Sequence, residues 1–380
     1  MIAGFSDAET RLVHLLREPG LLARARPEPG QADELFVVAE RHGVTSLLAQ
    51  HLGGAETHSW CERFRATARA QAAWEIGHRA VLRAALSSLN AHDIEPVLFK
   101  GTALAYSTYS NPVLRMRGDT DLLVRERDQV RVTRTLLDGG FASVDDSVAG
   151  RLGYQASFVW QGPGGSHALD VHWRINDSEV LSRLFTYDEL RAAAVELPAL
   201  APGALAASPV HALLLACMHR GVHRHSPYYV ADEPCVGGNR LIWLYDMHLL
   251  AGSFDANEWI EFVSSARSRG LLGICADGLA AARACFATTI PEAVWAELQR
   301  PHPGEPASDY LDAGPLRQQW LDLRAVPGAQ RKWRQLRGLL FPPAAYMRGR
   351  FATATVQWLP WLYARRALAG TWRRVRGRLT

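Results

Sequence analysis

A block of short, strand-like segments separates two stretches of the chain that carry helical patterns. Each of the first two strand-like segments is followed by a helical segment, and three more strands then follow in succession. This order is typical of a small mixed β-sheet with helices on one face. Gly162-Pro163-Gly164-Gly165 predicts an antiparallel hairpin between the last two strands. The sequence therefore predicts an α+β fold. The predicted order is strand 97–99, helix 101–109, strand 121–124, helix 126–137, and strands 141–144, 154–160 and 167–173.

The chain of 380 residues is longer than a single hydrophobic core usually supports, so more than one structural unit is expected. Around the strand-rich core, the alanine-rich and proline-free stretch 66–89 predicts a long helix before it, and four helical patterns follow it. Pro301 to Ala313, rich in proline, glycine and acid, is interpreted as a linker or loop. The predicted units are an N-terminal helical segment (1–92), the core (93–175), a helical domain (176–322) and a basic tail (323–380).

Charge is distributed unevenly along the chain. No acidic residue follows Asp322, whereas thirteen basic residues do, which leaves 29 basic and 38 acidic side chains before that point. The result is an acidic body with a basic, tryptophan-rich tail, predicted as two or three helices broken at Pro342-Pro343 and Pro360. This tail has three candidate partners: the acidic body itself, a membrane surface, or single-stranded nucleic acid. Its aromatic residues include Trp358, Trp361, Tyr363 and Trp372.

Several protein classes are disfavoured by the composition. The five cysteines are scattered and never form a CxxC pair, so neither a disulfide framework nor a cysteine zinc site is predicted. The segment Met1 to Arg11 lacks the order of a signal peptide, and no window is long and apolar enough to span a bilayer. We therefore expect a cytoplasmic protein without a transmembrane segment. Hydrophobic residues at 48% and charged residues at 21% are typical of a globular chain.

Asp119-Thr120-Asp121 lies at the start of a predicted strand. Side chains two residues apart on a strand point to the same side, so the two carboxylates face one spot. Two neighbouring carboxylates repel each other unless a cation lies between them, and Mg²⁺ prefers oxygen ligands. The pair therefore predicts a site for Mg²⁺ or Mn²⁺, although such pairs also occur in loops without a metal.

Lys100-Gly101-Thr102 lies where a predicted strand turns into a helix. Backbone N–H groups at such a turn can approach a phosphate, and the helix dipole favours the negative charge. Lys100 is one of only two lysines in a chain with forty arginines, which suggests that a compact ammonium is needed there. The alternative is a strand-to-helix turn that binds nothing.

A third acid, Asp170, lies in the alternating stretch Leu169 to Trp173. Leu169, Val171 and Trp173 are predicted to face the core, and Asp170 and His172 the opposite side of the sheet. A carboxylate in such a strand needs a partner. The partner is either a metal shared with the aspartate pair or a buried arginine, and His172 either hydrogen-bonds a metal ligand or is structural.

Three further basic residues are candidate nucleotide ligands. Arg115 and Arg117 flank the aspartate pair, and one of them is expected to contact phosphate, with pairing to Asp119 as the alternative. His219, four residues from His223 on a predicted helix, is interpreted as a contact to the nucleotide. A zinc site there is disfavoured because no carboxylate or cysteine stands at suitable spacing. Asp246 is a candidate partner for His219, and core packing is the competing explanation.

Together these motifs resemble the DNA polymerase β-like nucleotidyltransferase superfamily. Within it, the chain resembles a largely uncharacterised bacterial nucleotidyltransferase family whose members often occur in biosynthetic gene clusters. The resemblance continues through His219, Leu241 to Asp246, Leu340 to Pro343 and Tyr346 to Arg348, and so covers most of residues 95–350. Its most specific parts are Leu98-Phe-Lys-Gly-Thr-Ala-Leu104, Leu114-Arg-Met-Arg-Gly-Asp-Thr-Asp-Leu-Leu-Val124 and Leu169-Asp-Val-His-Trp173.

The resemblance implies a role for each matching residue. Asp119 and Asp121 match the paired metal ligands, Asp170 the third acid, and Gly101 and Thr102 the phosphate-contacting turn. The implied reaction moves a nucleoside monophosphate from an NTP, with ATP as the expected donor, to a hydroxyl group with the help of Mg²⁺. The chain departs from the superfamily pattern at Lys100, where an apolar residue is usual, and in the long gap between Thr102 and Asp119.

Two alternatives to nucleotidyl transfer stay open. Attack at the γ-phosphorus would make the protein a kinase on the same scaffold, and loss of turnover would leave a nucleotide-binding or interaction module. The presence of all three acids counts against an idle module. The acceptor is expected to be a small molecule or a peptide, because the acidic body disfavours a long nucleic acid. Sequence does not indicate the oligomeric state.

Overall fold

A computed structural model shows the arrangement of most of the chain. No helix in the described part is both long and apolar enough to cross a membrane. The break predicted at Pro342-Pro343, the hairpin residue Pro163 and the tail residue Trp372 lie outside the described residues. The structure describes residues 4–18, 20–21, 27–52, 59–144, 153–162, 164–230, 233–341, 344, 347–348 and 358–366.

Helices form the described part of the chain before the sheet. The fourth of them is a single helix of 32 residues, which confirms the long helix predicted from the alanine-rich stretch. A capping box starts the first: Ser6 Oγ accepts from Glu9 N–H at 3.2 Å, and Glu9 accepts from Ser6 N–H at 2.7 Å. The helices are α1 (Asp7–Arg17), α2 (Pro29–His42), α3 (Thr45–His51) and α4 (Ser59–Asn90).

The core alternates strands and helices in the predicted order, which confirms the α+β fold class. Gly162 pairs with Gly165 across the predicted hairpin. The elements are β1 (Val97–Phe99), α5 (Lys100–Ser107), β2 (Asp119–Leu123), α6 (Gln129–Asp138), β3 (Ala142–Ser143), β4 (Gln155–Gly162) and β5 (Gly165–His172). Three-residue 3₁₀ turns precede β2, at Pro112–Leu114, and α6, at Glu126–Asp128.

Seven strands form one mixed sheet in the order β3-β4-β5-β2-β1-β7-β6. The last two, β6 (Val195–Glu196) and β7 (Leu205–Ala206), lie beyond residue 175 and were not predicted. Each has only two residues, too short for an alternating pattern to show. β7 pairs in parallel with β1, so residues after 175 complete the edge of the core sheet.

The remaining described elements are mostly helical. They start with helix α7 and continue after β7 with a long helix, a small hairpin and a helical bundle. The elements are α7 (Tyr187–Ala192), α8 (Pro209–His225), β8 (Tyr228–Val230), β9 (Glu233–Cys235), α9 (Leu241–Ser253), α10 (Ala256–Arg269), α11 (Leu272–Phe286), α12 (Glu292–Leu298), α13 (Pro306–Leu311), α14 (Pro315–Ala325) and α15 (Ala329–Leu340), with a 3₁₀ turn at Leu181–Arg183.

The two faces of the sheet pack against different partners. One face contributes Leu98, Leu122 and Leu169 to a core shared with the second half of α4 and with α6. The opposite face contributes Val97, Phe99 and Leu123 to a larger core shared with α8, α9 and α11. Because neighbouring residues on a strand point to opposite faces, both cores draw on β1 and β2.

The segment predicted as a linker is packed instead. Residues 301–313 contain helix α13, where Ala307 and Leu311 are buried. Glu305 accepts hydrogen bonds from Leu272 N–H at 2.8 Å and Gly273 N–H at 2.9 Å, and so caps the start of α11. Proline and glycine content misled the interpretation because Pro306 is tolerated in the first turn of a helix. Pro360 likewise lies at the start of a helical stretch, residues 359–366, instead of breaking one.

Candidate active site

Parallel pairing of β2 with β5 positions two acids side by side. Asp121 is the direct neighbour of Asp170 in this register, and Asp119 is opposite Ala168. Side chains of directly opposed residues point to the same face, so Asp121 and Asp170 share it with Phe99 of β1 and Ser157 of β4. The predicted split of the last strand is confirmed, since Leu169 and Val171 belong to the core on the other face.

Asp121, Asp170 and His172 form a compact group of metal-ligand type. One ligand atom from each lies within 4.8 Å of the others. His172 Nε2 is 2.9 Å from Asp121 Oδ1, and its ring packs edge-on against Phe99. Ser157 Oγ donates a 2.7 Å hydrogen bond to Asp170. Carboxylate oxygens and an imidazole nitrogen are ligands of divalent cations, so the group fits a divalent metal ion.

Asp119 lies just outside this compact group, at the first residue of β2. Its side chain remains exposed, so only part of its hydration is lost. The surrounding protein, and then the charges of Asp121 and Asp170, raise the pKa of Asp119 to about 6. A cation shared with the other two carboxylates would stabilise the charged form of such a carboxylate. Asp119 is therefore close enough to sense the other two acids electrostatically.

Lys100 supplies the positive charge nearest to Asp121. Its Nζ is 2.6 Å from Asp121 Oδ1. Burial disfavours the charged carboxylate, but the Lys100 ammonium and the His172 hydrogen bond outweigh it and hold the pKa of Asp121 well below its usual range. Burial also opposes the Lys100 charge, yet Asp121, Asp119 and Asp170 raise the pKa of Lys100. Burial together with the Asp121 charge raises the pKa of Asp170 despite its bond from Ser157.

The turn from β1 into α5 has an unusual backbone at Lys100, not at Gly101. Lys100 has a φ of 58°, in the left-handed region that non-glycine residues rarely adopt. No described side chain caps the N–H groups at the start of α5. A Cβ at Gly101 would lie 3.5 Å from the Arg117 side chain, an ordinary van der Waals contact, so the turn packs directly against that arginine. The first N–H groups of a helix have no partner within the helix, and at α5 they lie next to the acids.

Thr102 and Arg117 belong to a buried polar network behind the acids. Thr102 Oγ1 is 2.7 Å from Thr120 Oγ1 and accepts from Arg117 Nε at 2.8 Å. Arg117 Nη2 in turn donates to Glu75 at 2.8 Å, and His78 Nε2 is 2.8 Å from Thr120 Oγ1. The Arg117 and Thr102 side chains therefore hold the turn and the aspartate strand together from the inside.

Arg115 is committed to a buried ion pair. Its guanidinium donates to both oxygens of Asp246, with Nε–Oδ1 at 2.7 Å and Nη2–Oδ2 at 2.8 Å. Tyr109 donates to the same carboxylate at 2.7 Å. Asp246, considered above as a partner of His219, is thus a partner of Arg115. The pair joins the core to helix α9.

His219 faces the site from α8 and has ring neighbours instead of an acid. Its ring centroid is 4.6 Å from that of Trp243 and 4.5 Å from that of His223. Burial and the charge of Lys100 lower the pKa of His219 well below its usual value, while the charge of Asp121 raises it. Lys100 and Asp121 therefore belong to the electrostatic environment of His219.

Sequence reasoning missed several residues that position the site. Ser157, Glu75 and His78 each have an ordinary local pattern, and only the sheet register or the path of α4 brings them to β2. Two cavities, of about 520 Å³ beside α6 and about 320 Å³ beside α11, involve none of the predicted site residues. The polar geometry around Asp121, not cavity size, therefore marks the candidate site.

Comparison with known proteins gives one match. No curated protein and no solved structure matches the chain. Residues 28–287 match the model of a family described as "Uncharacterised nucleotidyltransferase". The match includes the sheet, the acids and helices α8 to α11. Because it spans well over half of the chain, the protein is an enzyme that belongs to this nucleotidyltransferase family.

Proposed function

We propose that the enzyme moves a nucleoside monophosphate from an NTP to a hydroxyl group of a small molecule or peptide, with a divalent cation at the acids. The observation that carries this is the pairing of Asp121 with Asp170 on adjacent parallel strands, with His172 within ligand distance. The family match supports nucleotidyl transfer. The metal, the donor and the acceptor are our inference, as is placement in the DNA polymerase β-like superfamily.

Asp121 and Asp170 are the proposed metal ligands, with Asp119 completing the set. The destabilised charges of Asp119 and Asp170 support this, because a cation between carboxylates lowers their repulsion. His172 either orients Asp121 through its 2.9 Å contact or joins the ligand set. Bound Mg²⁺ or Mn²⁺ would neutralise the phosphates and lower the pKa of the acceptor hydroxyl.

The start of α5 is the proposed binding site for phosphate. No described side chain caps the helix start at Lys100, Gly101 and Thr102, and the N–H groups of a helix N-terminus favour a bound anion. The Lys100 ammonium lies beside the acids and can contact a phosphate group that binds there. Thr102 contributes through its backbone, since its hydroxyl is occupied by Thr120 and Arg117.

Asp170 is the proposed base for the acceptor hydroxyl. It is half-buried, its pKa is raised, and Ser157 holds one of its oxygens at 2.7 Å. A carboxylate with a raised pKa accepts a proton more readily. A small acceptor suits the site better than a long nucleic acid, because 38 acidic residues and only 29 basic ones precede the tail.

Ligand-dependent thermal stability tests the proposal before the acceptor is known. Mg²⁺ with a non-hydrolysable ATP analogue should raise the melting temperature of the wild type and not that of Asp121→Asn. Equal stabilisation of both proteins would refute metal-bridged nucleotide binding. The other three NTP analogues in the same assay define the preferred base. Once an acceptor is found, a product mass increased by a nucleoside monophosphate supports nucleotidyl transfer, whereas a gain of one phosphate supports the kinase alternative.

A further inference from the structure

A cluster of aromatic rings lies on the elements that follow the sheet. It consists of His219 and His223 on α8, Tyr228 on β8 and Trp243 on α9. The Trp243 centroid is 4.6 Å from that of His219, 5.3 Å from that of His223 and 4.8 Å from that of Tyr228. Trp243 is buried and supports the other three rings, which are half-buried and reach solvent.

The two histidines of this ring cluster are uncharged at neutral pH. Burial comes first among the causes that lower the pKa of His219 and of His223, and the charge of Lys100 lowers both further. No hydrogen bond among the described residues is formed by the His219 ring, and His223 Nδ1 is 3.4 Å from Ser226 O. A neutral imidazole is a flat surface that can also hydrogen-bond a planar ligand.

Arg240 lies against the same ring cluster. Its guanidinium carbon is 5.8 Å from the Trp243 centroid and 5.9 Å from that of Tyr228, and its Nε donates to Arg41 O at 3.1 Å. No carboxylate among the described residues forms an ion pair with it. Arg115, by contrast, is paired with Asp246 and Arg117 with Glu75.

The pKa shifts of Arg240 and Arg115 differ in the same way as their ion pairs. Burial, followed by the charge of Arg115, lowers the pKa of Arg240 to about 10. Asp246 outweighs burial at Arg115 and raises its pKa. Contacts place this region next to the turn at Gly101: α8 packs against α5, and Asp246 of α9 bonds Arg115, whose Nη1 is 3.8 Å from the position of a Cβ on Gly101. A partly buried cation without its own anion is stabilised when an anionic ligand arrives.

We propose that Arg240 and the ring cluster form the second half of the nucleotide site, in which Arg240 binds the triphosphate and the base stacks on the half-buried rings. The inference rests on the proposed function, because the acids must bind the divalent cation that accompanies the same NTP. A guanidinium matches phosphate oxygens in a bidentate way, and stacking on rings suits every base. Arg240 thus takes the phosphate role expected above for Arg115 or Arg117, both of which are engaged inside the protein.

Two Mg²⁺-loaded probes separate the two parts of this subsite: inorganic tripolyphosphate and a non-hydrolysable ATP analogue. Calorimetry should show that Arg240→Gln weakens binding of both by about tenfold or more, which is the size of a lost charge-assisted contact. Glutamine keeps a donor for Arg41 O. Tyr228→Leu should weaken binding of the ATP analogue severalfold and leave tripolyphosphate unchanged. Arg191→Met, which removes the partner of Glu95, is the matched control and should change neither.

Each outcome bears on a different claim. Wild type that binds neither probe refutes both the proposed function and this subsite. Wild type that binds both, with Arg240→Gln binding them equally well, refutes the subsite alone. Equal weakening of both probes by Tyr228→Leu overturns the stacking part. Should Arg240→Gln fail to fold, arginine-selective labelling of the wild type replaces it: tripolyphosphate should protect Arg240 from the reagent, and unprotected Arg240 contradicts the proposal.

Discussion

The two faces of strand β2 make opposite use of polar groups. On one face, Asp119 and Asp121 lie beside Asp170, and the charges of Asp121 and Asp170 destabilise that of Asp119. On the other, Thr120 is buried and bonded to Thr102 and to His78. A polar group that is buried and fully bonded stabilises a fold, whereas repelling charges are retained at a cost in stability. Residues one position apart are therefore expected to fail in different ways when changed.

Asp121→Asn should give the largest effect. It removes a proposed metal ligand while keeping the side-chain shape, so turnover of the NTP should fall by roughly a hundredfold to a thousandfold. The free energy of unfolding without metal should also fall, because the charge of Asp121, which Lys100 and His172 stabilise in the folded protein, is lost. Steady-state rates and chemical denaturation measure the two quantities. Asp138→Asn, at the end of α6, is the control; turnover equal to that of the control would contradict the metal role.

His78→Phe tests the opposite face. The ring volume is kept, but Thr120 and His167 lose their partner at 2.8 Å and 3.3 Å. Leaving buried polar groups unpaired should lower the free energy of unfolding by about 1–3 kcal/mol. Turnover per folded molecule should stay near the wild-type value, because His78 is behind the strand. His92→Phe, in the exposed turn after α4, controls for ring substitution. A variant with wild-type stability but little activity would reverse the assignment of the two faces.

Acid should destabilise the folded protein through His78. Burial, followed by the charges of Arg117 and His167, lowers the pKa of His78 to about 3, whereas the unfolded chain has the ordinary value of 6.5. Between these values the unfolded state binds the proton and the folded state does not, so stability falls as pH drops. The slope from this one group is about 1.4 kcal/mol per pH unit. Denaturation at several pH values should show a shallower slope for His78→Phe than for wild type; identical slopes would contradict the buried neutral histidine.

Lys100→Arg should give the smallest effect. The charge stays, but a planar fork replaces the compact ammonium that is 2.6 Å from Asp121. We expect turnover to fall by up to about tenfold, mainly in kcat, if the contact tightens as charge develops on the transferring phosphate. The melting temperature should change little. Wild-type kinetics in both Lys100→Arg and Lys100→Met would show that Lys100 has no role in the reaction.

Local patterns predicted most of the sheet and its polar face. The strands around Asp121 and Asp170 were predictable because alternation assigns each side chain to a face. Whether the two acids are adjacent depends on which strands pair. The family resemblance predicted their convergence, whereas the local pattern alone did not. β6 and β7 escaped prediction because a two-residue strand has no period.

The partners of the arginines were less accessible to prediction. Arg115 and Arg117 flank the acids in sequence, yet each turns inward to Asp246 and Glu75, which come from α9 and α4. Arg240 is distant in sequence and has a common helical context, so nothing local indicated its position beside the rings. Partner choice over such distances is decided by tertiary packing, which a single sequence does not reveal.

The position of β5 in the sheet also fixes when the site can form. β5 is inserted between β4 and β2, although it is made last of the three. A nascent chain that has reached only β4 carries the aspartate pair but lacks Asp170 and His172. Pairing of β2 with β5 requires closure of a loop of some fifty residues, a step that slows folding. During synthesis, the proposed cation-binding group can therefore assemble only after the hairpin has left the ribosome and docked on β2.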